Sequence, residues 1–262
     1  MSKLALVTGA TSGIGRAYAE RLAADGYDLI LVGRRTERLA EFAANHPGVR
    51  TVAADLSTAE GVDTVAGICA DEPLDLLVNN AGVSHYMALA ELPADKAHEV
   101  VQVKVVAATM LARAAVAGMQ ARGSGSIVNV SGMFAFSGPA PASVQPRRAV
   151  YAGTLAYLVT MSQALSVELE GTGVGVQVVC PGVVATEFHE RQGLDLSAVP
   201  RMSAADVVTA SLRGLELGEV VCAPGVEDTG LLDAVFHADL AALGGQGTEL
   251  ASRYRSTADR RA

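Results

Sequence analysis

Short apolar runs rich in Val, Leu and Ile alternate along the chain with longer helix-like segments. This alternation is typical of βαβ units, in which parallel strands are buried on both faces and joined by crossover helices. The pattern therefore predicts a doubly wound α/β fold with a parallel sheet of about seven strands and helices on both faces. The predicted strands are residues 4–8, 28–32, 50–53, 74–79, 126–131, 174–180 and 219–222.

Helical segments separate these strands, and two further segments fit neither periodicity. Residues 132–148 and 186–202 follow the carboxyl ends of predicted strands, where open α/β sheets bind ligands. They are interpreted as walls of a pocket, with ordinary surface loops as the alternative. One domain over residues 1–262 is expected, because α/β folds commonly reach this length around one core. The predicted helices are residues 13–25, 36–45, 57–70, 93–122, 150–171 and 203–217.

Composition narrows the classes of partner. The chain has 262 residues, half of them hydrophobic. Its net charge is -8 and its basic residues are not clustered, which argues against nucleic acid or an anionic membrane as a binding partner. No apolar run reaches the roughly 18 residues of a membrane span, and the start of the chain enters a strand directly, so a cytoplasmic location is expected. Cys69, Cys180 and Cys222 are unevenly spaced in apolar surroundings, which favours buried thiols over disulfides or a metal site.

A glycine-rich turn, "TGATSGIG" at residues 8–15, lies between the first predicted strand and the first predicted helix. Gly9 permits a tight turn, Gly13 allows backbone to approach a pyrophosphate, and Gly15 allows close helix packing. The amino end of the helix adds N–H donors and a positive dipole. The strand–turn–helix context predicts a dinucleotide site.

The ordered motifs resemble those of the short-chain dehydrogenase/reductase family over nearly the whole chain. They are TGxxxGIG, "DL" at residues 55–56, "NNAG" at 79–82, "SIVNVS" at 126–131, Tyr151 and "PGVVAT" at 181–186. The resemblance implies a Rossmann-like fold and a nicotinamide dinucleotide. It also implies that the cofactor is bound by Gly9, Thr11, Ser12, Gly13, Ile14, Gly15, Asp55, Leu56, Asn80, Ala81, Gly82, Pro181, Gly182 and Thr186.

The end of the second strand indicates which dinucleotide is bound. An NAD site places a carboxylate about 20 residues beyond the glycines, where it binds the ribose 2'-hydroxyl. Here Gly33 occupies that place and is followed by Arg34 and Arg35. Guanidinium groups bind a 2'-phosphate with charge-assisted hydrogen bonds, so NADP(H) is predicted over NAD(H). The alternative is a pair of solvated arginines.

The catalytic positions match the family only in part. The resemblance implies an asparagine, a serine, a tyrosine and a lysine, with the tyrosine donating a proton and the lysine lowering its pKa. Tyr151 matches the tyrosine. Lys104, Gly132 and Leu155 stand where asparagine, serine and lysine are expected. An unperturbed tyrosine has a pKa near 10, so Tyr151 stays protonated, which suits donation to a ketone.

Three other side chains are candidates to support Tyr151. Ser131 adjoins the expected serine, and His85 follows the fourth strand and could exchange protons near neutral pH. Lys104 could extend into the space beside Leu155 and place its ammonium near Tyr151 or the ribose. The alternatives are a wall histidine at His85 and a lysine that reaches the surface or loses its charge.

Three functions remain open from the sequence. The first is an NADPH-dependent carbonyl reductase with an atypical active site. The second is a non-redox enzyme on the same fold, such as a cyclase, dehydratase or isomerase, and the third is a non-catalytic NADP(H)-binding protein. The partner is expected to be a small, largely apolar molecule. Apolar helix faces that pair subunits in related proteins imply a homodimer or homotetramer.

Overall fold

The structure, a computed structural model, describes residues 2–141 and 148–255, and its centre is a seven-stranded parallel sheet. The strand order is β3-β2-β1-β4-β5-β6-β7, and every neighbouring pair is parallel. The order reverses between β1 and β4, which opens a crevice at their carboxyl ends. The predicted fold class is confirmed. The strands are β1 (Leu4–Thr8), β2 (Asp28–Gly33), β3 (Val49–Ala53), β4 (Leu76–Asn79), β5 (Gly125–Val130), β6 (Val174–Val179) and β7 (Val221–Cys222).

Helices cover both faces of the sheet, and each face has its own apolar core. Along β1, Ala5 and Val7 point into the core beneath α1, α2 and α8, while Leu6 points into the core beneath α3 and α5. This two-sided burial explains why the strands are continuous apolar runs. The helices are α1 (Gly13–Ala24), α2 (Thr36–Asn45), α3 (Ala59–Asp71), α4 (Ala94–Val101), α5 (Ala108–Arg122), α6 (Ala149–Glu168), α7 (Glu187–Glu190), α8 (Ala204–Leu217) and α9 (Gly230–Gly244).

Some boundaries differ from the predicted ones for local reasons. The last strand is shorter than residues 219–222, because the Glu219 backbone N–H donates to the Gly214 carbonyl at the end of α8. Gly218, at φ +75°, makes this left-handed helix end possible. Residues 186–202 contain the short helix α7, and residues 132–148 contain a 3₁₀ turn, Met133–Phe136. Residues 142–147 lie outside the described part, and α9 was not predicted.

The predicted helix at residues 93–122 is not continuous. A π-helical turn, Gln102–Ala107, separates α4 from α5 and contains Lys104. A π turn adds a residue to the helical repeat and so changes which side chains face the sheet, and such turns are frequent at functional sites. Hydrophobic periodicity does not reveal it.

Two helical stretches in the described residues, Ala94–Arg122 and Ala149–Glu168, are long and apolar enough to cross a membrane. Core helices of soluble proteins pass the same test, and here α5 packs on α3 and α6 packs on β6. The cytoplasmic location stays a prediction.

By its internal contacts the chain divides into two compact units, Met1–Gly225 and Val226–Ala262. The first unit contains the sheet, α1 to α8 and the cavity described below. The second contains α9 and a 3₁₀ turn, Ser252–Tyr254. The expectation of one domain over residues 1–262 stays a prediction. The three cysteines are buried and free, as predicted.

Candidate active site

A cavity of about 420 Å³ lies at the carboxyl ends of the strands in the first unit. This size is in the range of small-molecule and cofactor sites. All of the predicted site residues except Gly15 line it. The lining ones are Gly9, Thr11, Ser12, Gly13, Ile14, Arg34, Arg35, Asp55, Leu56, Asn80, Ala81, Gly82, His85, Lys104, Ser131, Tyr151, Pro181, Gly182 and Thr186.

At one end of the cavity the glycine turn has a shape that only glycine allows. Gly9 and Gly13 have φ of +67° and +56°, a region that other residues rarely adopt. A Cβ on Gly15 would lie 2.4 Å from both the Gly9 carbonyl oxygen and Asn80 Nδ2, and one on Gly13 would lie 3.1 Å from Thr186 Cγ2. The amino end of α1 therefore faces the cavity across a closely packed turn, which fits a bound phosphate.

Arg35 is held beside this turn by polar contacts. Its Nε and Nη2 donate to Thr11 Oγ1 at 3.0 and 2.6 Å, and Nη2 also donates to Ser12 Oγ at 2.7 Å. Its Nη1 donates to Glu187 Oε1 at 2.8 Å. The guanidinium is thus fixed where the glycine turn ends and α7 begins.

Glu187 lies between three guanidinium groups. Besides Arg35, Arg38 Nη1 donates to its Oε1 at 3.0 Å and Arg191 Nη2 donates to it at 2.6 Å. Partial burial opposes ionisation, but a hydrogen bond from Ser12 and the charges of Arg35 and Arg38 hold the pKa of Glu187 below its usual value. Sequence reasoning missed Arg38, Glu187 and Arg191. We call Arg35, Arg38 and Glu187 the anion cluster.

Arg34 differs from Arg35 in its surroundings. Its Nη1 lies 3.6 Å from Asp55 Oδ2 and 3.8 Å from Glu99 Oε1, and its side chain is 55% exposed. Asp55 in turn accepts hydrogen bonds from the backbone and hydroxyl of Ser57, at 3.0 and 2.8 Å. The two arginines that the sequence treats alike therefore meet different partners.

His85 lines the cavity in a strained backbone conformation. Its φ of +46° is unusual for a residue with a side chain. Its Nε2 lies 2.9 Å from Glu99 Oε2, which also accepts from Lys96 Nζ at 3.1 Å. Its backbone N–H donates to Gln192 Oε1 at 3.2 Å. Glu99 thus holds the His85 ring.

Lys104 is buried in the cavity wall, with 5% of the residue exposed. Its Nζ donates to the Val130 carbonyl at 3.1 Å, and a Cβ on Gly82 would lie 2.5 Å from its Cε and 2.6 Å from its Nζ. Burial lowers the pKa of Lys104 to about 8. Glycine at position 82 therefore makes room for the lysine, and the ammonium does not reach the surface.

The positions expected to hold serine and lysine are apolar. Leu155 is fully buried one turn after Tyr151 and packs with it. The Ser131 hydroxyl donates to the Leu155 carbonyl at 2.9 Å. A Cβ on Gly132 would lie 3.4 Å from Leu155 Cδ1 and 3.5 Å from the Pro181 carbonyl oxygen, which are ordinary contacts. A side chain at position 132 would therefore fit.

Tyr151 is buried in an aromatic wall at the other end of the cavity. Its ring meets that of Tyr86 edge to face at 5.3 Å between centroids and lies 6.5 Å from that of Phe188. Burial raises the pKa of Tyr151 well above its usual value, Tyr86 raises it further, and Arg148 lowers it. Tyr151 is therefore a protonated group at neutral pH.

Arg148 lies beside these rings, and no motif in the sequence had pointed to it. Its guanidinium carbon is 3.6 Å from the ring centroid of Phe134 and 4.8 Å from that of Tyr86. Only 8% of the residue is exposed. Tyr86, four residues beyond the "NNAG" motif, was also missed, although its position after the carboxyl end of β4 was a usable signal.

The sheet order, the glycine turn and the cavity at the strand ends define a nucleotide-binding protein of the Rossmann type. Residues 3–196 match the family model described as short chain dehydrogenase. The chain belongs to the short-chain dehydrogenase/reductase family.

Individual proteins show the same relationship. A short-chain dehydrogenase from Sphingobium yanoikuyae, solved in complex with NADPH, is 31% identical, with a TM-score of 0.90, and 97% of this chain and 100% of that chain are covered. The bulky-bulky ketone specific alcohol dehydrogenase from Comamonas testosteroni is 28% identical, with a TM-score of 0.86, and 97% and 99% are covered. The inactive hydroxysteroid dehydrogenase-like protein 1 of Pongo abelii is 35% identical over 70% of this chain and 56% of that protein.

Proposed function

We propose that this chain is an NADP(H)-dependent oxidoreductase that reduces a carbonyl group. The observation that carries the proposal is the Glu187 carboxylate bound by Arg35 and Arg38 beside the glycine turn. Guanidinium groups that bind a carboxylate offer the same donors to a 2'-phosphate. The NADPH complex of the Sphingobium yanoikuyae relative supports this choice of cofactor.

The residues of the cavity fit such a cofactor from end to end. The turn at Gly9 and Gly13 would hold the pyrophosphate, and Arg35 with Arg38 would hold the 2'-phosphate. By resemblance to the family, Asp55 would meet the adenine. Bound NADPH would supply a hydride to the carbonyl carbon. Tyr151, which burial keeps protonated, would donate its proton to the carbonyl oxygen.

The substrate end favours an apolar carbonyl compound. Aromatic rings of Tyr86, Phe134 and Phe188 line it beside Tyr151. Such walls bind apolar groups by excluding water, while the phenol orients the carbonyl. The ketone specificity named for the Comamonas testosteroni relative supports a ketone as the substrate class.

A second candidate is a non-redox enzyme that retains the nucleotide site. The observation that favours it is the change at the catalytic positions, where Leu155 is apolar and Lys104 is a buried base with a pKa of about 8. A buried amine of that kind can exchange protons near neutral pH. The relative described as inactive also indicates that redox activity is not universal among similar proteins.

Deuterium transfer distinguishes these candidates. The protein is mixed with a panel of apolar ketones and aldehydes and with NADPH labelled with deuterium at C4. The two faces of C4 are labelled in separate samples, so that transfer from either face is detected. Carbonyl reduction predicts loss of NADPH absorbance and one deuterium in the alcohol product. Consumption of substrate with no deuterium in the product would establish the non-redox enzyme. Tight NADPH binding without any turnover would show that the chain is a non-catalytic binding protein.

A further inference from the structure

Tyr151 lies in a cluster of side chains with Tyr86, Phe134 and Arg148, and Arg148 carries the positive charge of this cluster. The Tyr86 ring meets Tyr151 edge to face, at 5.3 Å between centroids and 72° between planes. Arg148 stacks on the outer side of the group, against Tyr86 and Phe134, and does not line the cavity. A cation over an aromatic face is attracted by the ring and is more effective when water is excluded.

We propose that Arg148 is a positioning residue that supplies the positive charge absent at Leu155, by stabilising one phenolate shared between Tyr86 and Tyr151. The two phenols then act as one proton-donating unit. The inference rests on the proposed function, because it names the charge that supports Tyr151 as an acid.

The surroundings of the two hydroxyls assign the negative charge to Tyr86. Burial raises the pKa of Tyr86, but Arg148 and hydrogen bonds from the Ser84 and Tyr151 hydroxyls act in the opposite direction. For Tyr151 the neighbouring Tyr86 raises the pKa further. The pair therefore loses its first proton as a coupled unit, with Tyr151 as the hydrogen-bond donor and Tyr86 as the acceptor beside the guanidinium.

A balanced proton path follows. If bound NADPH supplies a hydride to the carbonyl carbon, the carbonyl oxygen would take the Tyr151 proton and the O–H bond of Tyr151 would break. The Tyr86 hydroxyl would then pass its proton to the Tyr151 oxygen, which leaves Tyr151 as the hydrogen-bond donor and the Tyr86 oxygen as the acceptor. The electron pair remains on the Tyr86 oxygen, where Arg148 balances its charge until a proton is taken from solvent. The substrate gains one hydride and one proton, and NADPH is oxidised to NADP⁺.

The other ionisable groups near Tyr86 and Tyr151 do not supply a second positive charge beside that of Arg148. The His189 ring lies 6.0 Å from that of Tyr86, and burial, followed by Arg148 and Arg201, lowers its pKa, so it is neutral at neutral pH. The Lys104 ammonium is bound to the Val130 carbonyl. Among the described residues, Arg148 is the cation that acts on the pKa of both tyrosines.

The test uses the full chain labelled with ¹³C at tyrosine Cζ, with Tyr86→Phe and Tyr151→Phe assigning the two signals among six tyrosines. We expect Arg148→Met to move the first ionisation of the pair to higher pH and Arg148→Lys to leave it close to the parent position. Because this titration needs neither cofactor nor substrate, its outcome is independent of whether carbonyl reduction occurs.

Kinetics on the best carbonyl substrate gives a second readout. Arg148→Met should lower kcat at pH 7 by about tenfold or more, while the alkaline limb of the pH profile moves to higher pH, since the acid is then harder to ionise. In the Tyr86→Phe background the same substitution should cost much less, because the acceptor of the charge is gone. A merely structural role would lower kcat without moving the limb.

Arg213→Met is the matched control, because Arg213 pairs with Glu216 on the exposed face of α8. If Arg148→Met leaves both the titration and the alkaline limb unchanged, the proposal is wrong. If Arg148→Met does not fold, Arg148→Gln and Arg148→Lys are compared in its place, and the same shift with glutamine but not with lysine is required.

Discussion

The two ends of the cavity differ in how closely they keep to the family pattern. At the nucleotide end, Gly9, Gly13 and Gly15 stand where the motif requires them, and a side chain at Gly15 would collide with backbone. At the reaction end, Leu155 and Gly132 stand where the family pattern has polar residues, and a side chain at position 132 would make only ordinary contacts. The glycine turn depends on backbone shape, so it requires glycine at fixed positions. A catalytic charge can be supplied by a side chain from another helix or loop, so the residues at the reaction end can change while the cavity stays intact.

The first prediction compares the addition of one methyl group at each end of the cavity. Gly15→Ala places a Cβ 2.4 Å from the Gly9 carbonyl oxygen, so the turn must shift. We expect a loss of about 1–3 kcal/mol in unfolding free energy, with NADPH binding weakened about tenfold or more. Gly132→Ala, in extended backbone at φ 168°, should change stability by no more than about 0.5 kcal/mol. Urea unfolding and calorimetry measure both, and equal losses would remove the contrast.

The next prediction concerns Lys104 at the reaction end. If its ammonium supports the proton chemistry, Lys104→Met should reduce turnover by roughly 100-fold. Lys3→Met is the matched control, because Lys3 is exposed near the start of β1. Unchanged turnover in Lys104→Met would assign the lysine a purely structural part and leave Arg148 as the supporting charge.

Lys104 also gives stability a defined dependence on pH. Its pKa falls from 10.5 in the unfolded chain to about 8 in the folded one, so the unfolded state binds more protons between these values and stability rises with pH there. Below pH 8 the whole burial cost is present, roughly 3 kcal/mol. Lys104→Met should therefore be more stable than the parent at pH 7, and the difference should shrink by pH 10. A constant difference in urea midpoints would show that the ammonium is not desolvated.

The sequence predicted what is local and missed what is assembled. The strands and the glycine turn follow from apolar runs and from glycines that the backbone requires, so both were predicted. Glu187 meets Arg35 across 152 positions of chain, and no local pattern reports that meeting. The π turn that contains Lys104 covers only six residues, too few for an apolar pattern to distinguish it from an uninterrupted helix. Side chains that act through tertiary contacts therefore need the structure.

The nucleotide end is also tested by cofactor preference. NADPH should bind more tightly than NADH by about 1–3 kcal/mol, roughly tenfold or more. Arg35→Ala should erase most of this preference, because its guanidinium is fixed beside the turn. Arg34→Ala should erase less, since Arg34 faces Asp55 and Glu99. Calorimetry that gives equal affinities for NADPH and NADH in the parent protein would overturn the choice of cofactor.

The smallest expected effect comes from Glu187, whose carboxylate would compete with the 2'-phosphate of the proposed cofactor for the same donors. Glu187→Gln keeps the size of the side chain but removes its charge, so NADPH no longer displaces an ion pair from Arg35 and Arg38. Partly exposed pairs contribute about 0.2–1 kcal/mol each, so NADPH should bind a few-fold more tightly. NADH affinity should not change, because NADH lacks the competing phosphate.

Glu190→Gln on the same short helix is the control, since it removes an equal charge outside the anion cluster. Added salt should reduce the gain, because screening weakens the pairs in the parent protein and the phosphate contacts alike. Weaker NADPH binding in Glu187→Gln would mean instead that Glu187 holds α7 in place for the cofactor. The anion cluster would then be part of the nucleotide site rather than a competitor for it, and the preference for NADPH would depend on Glu187 as much as on Arg35.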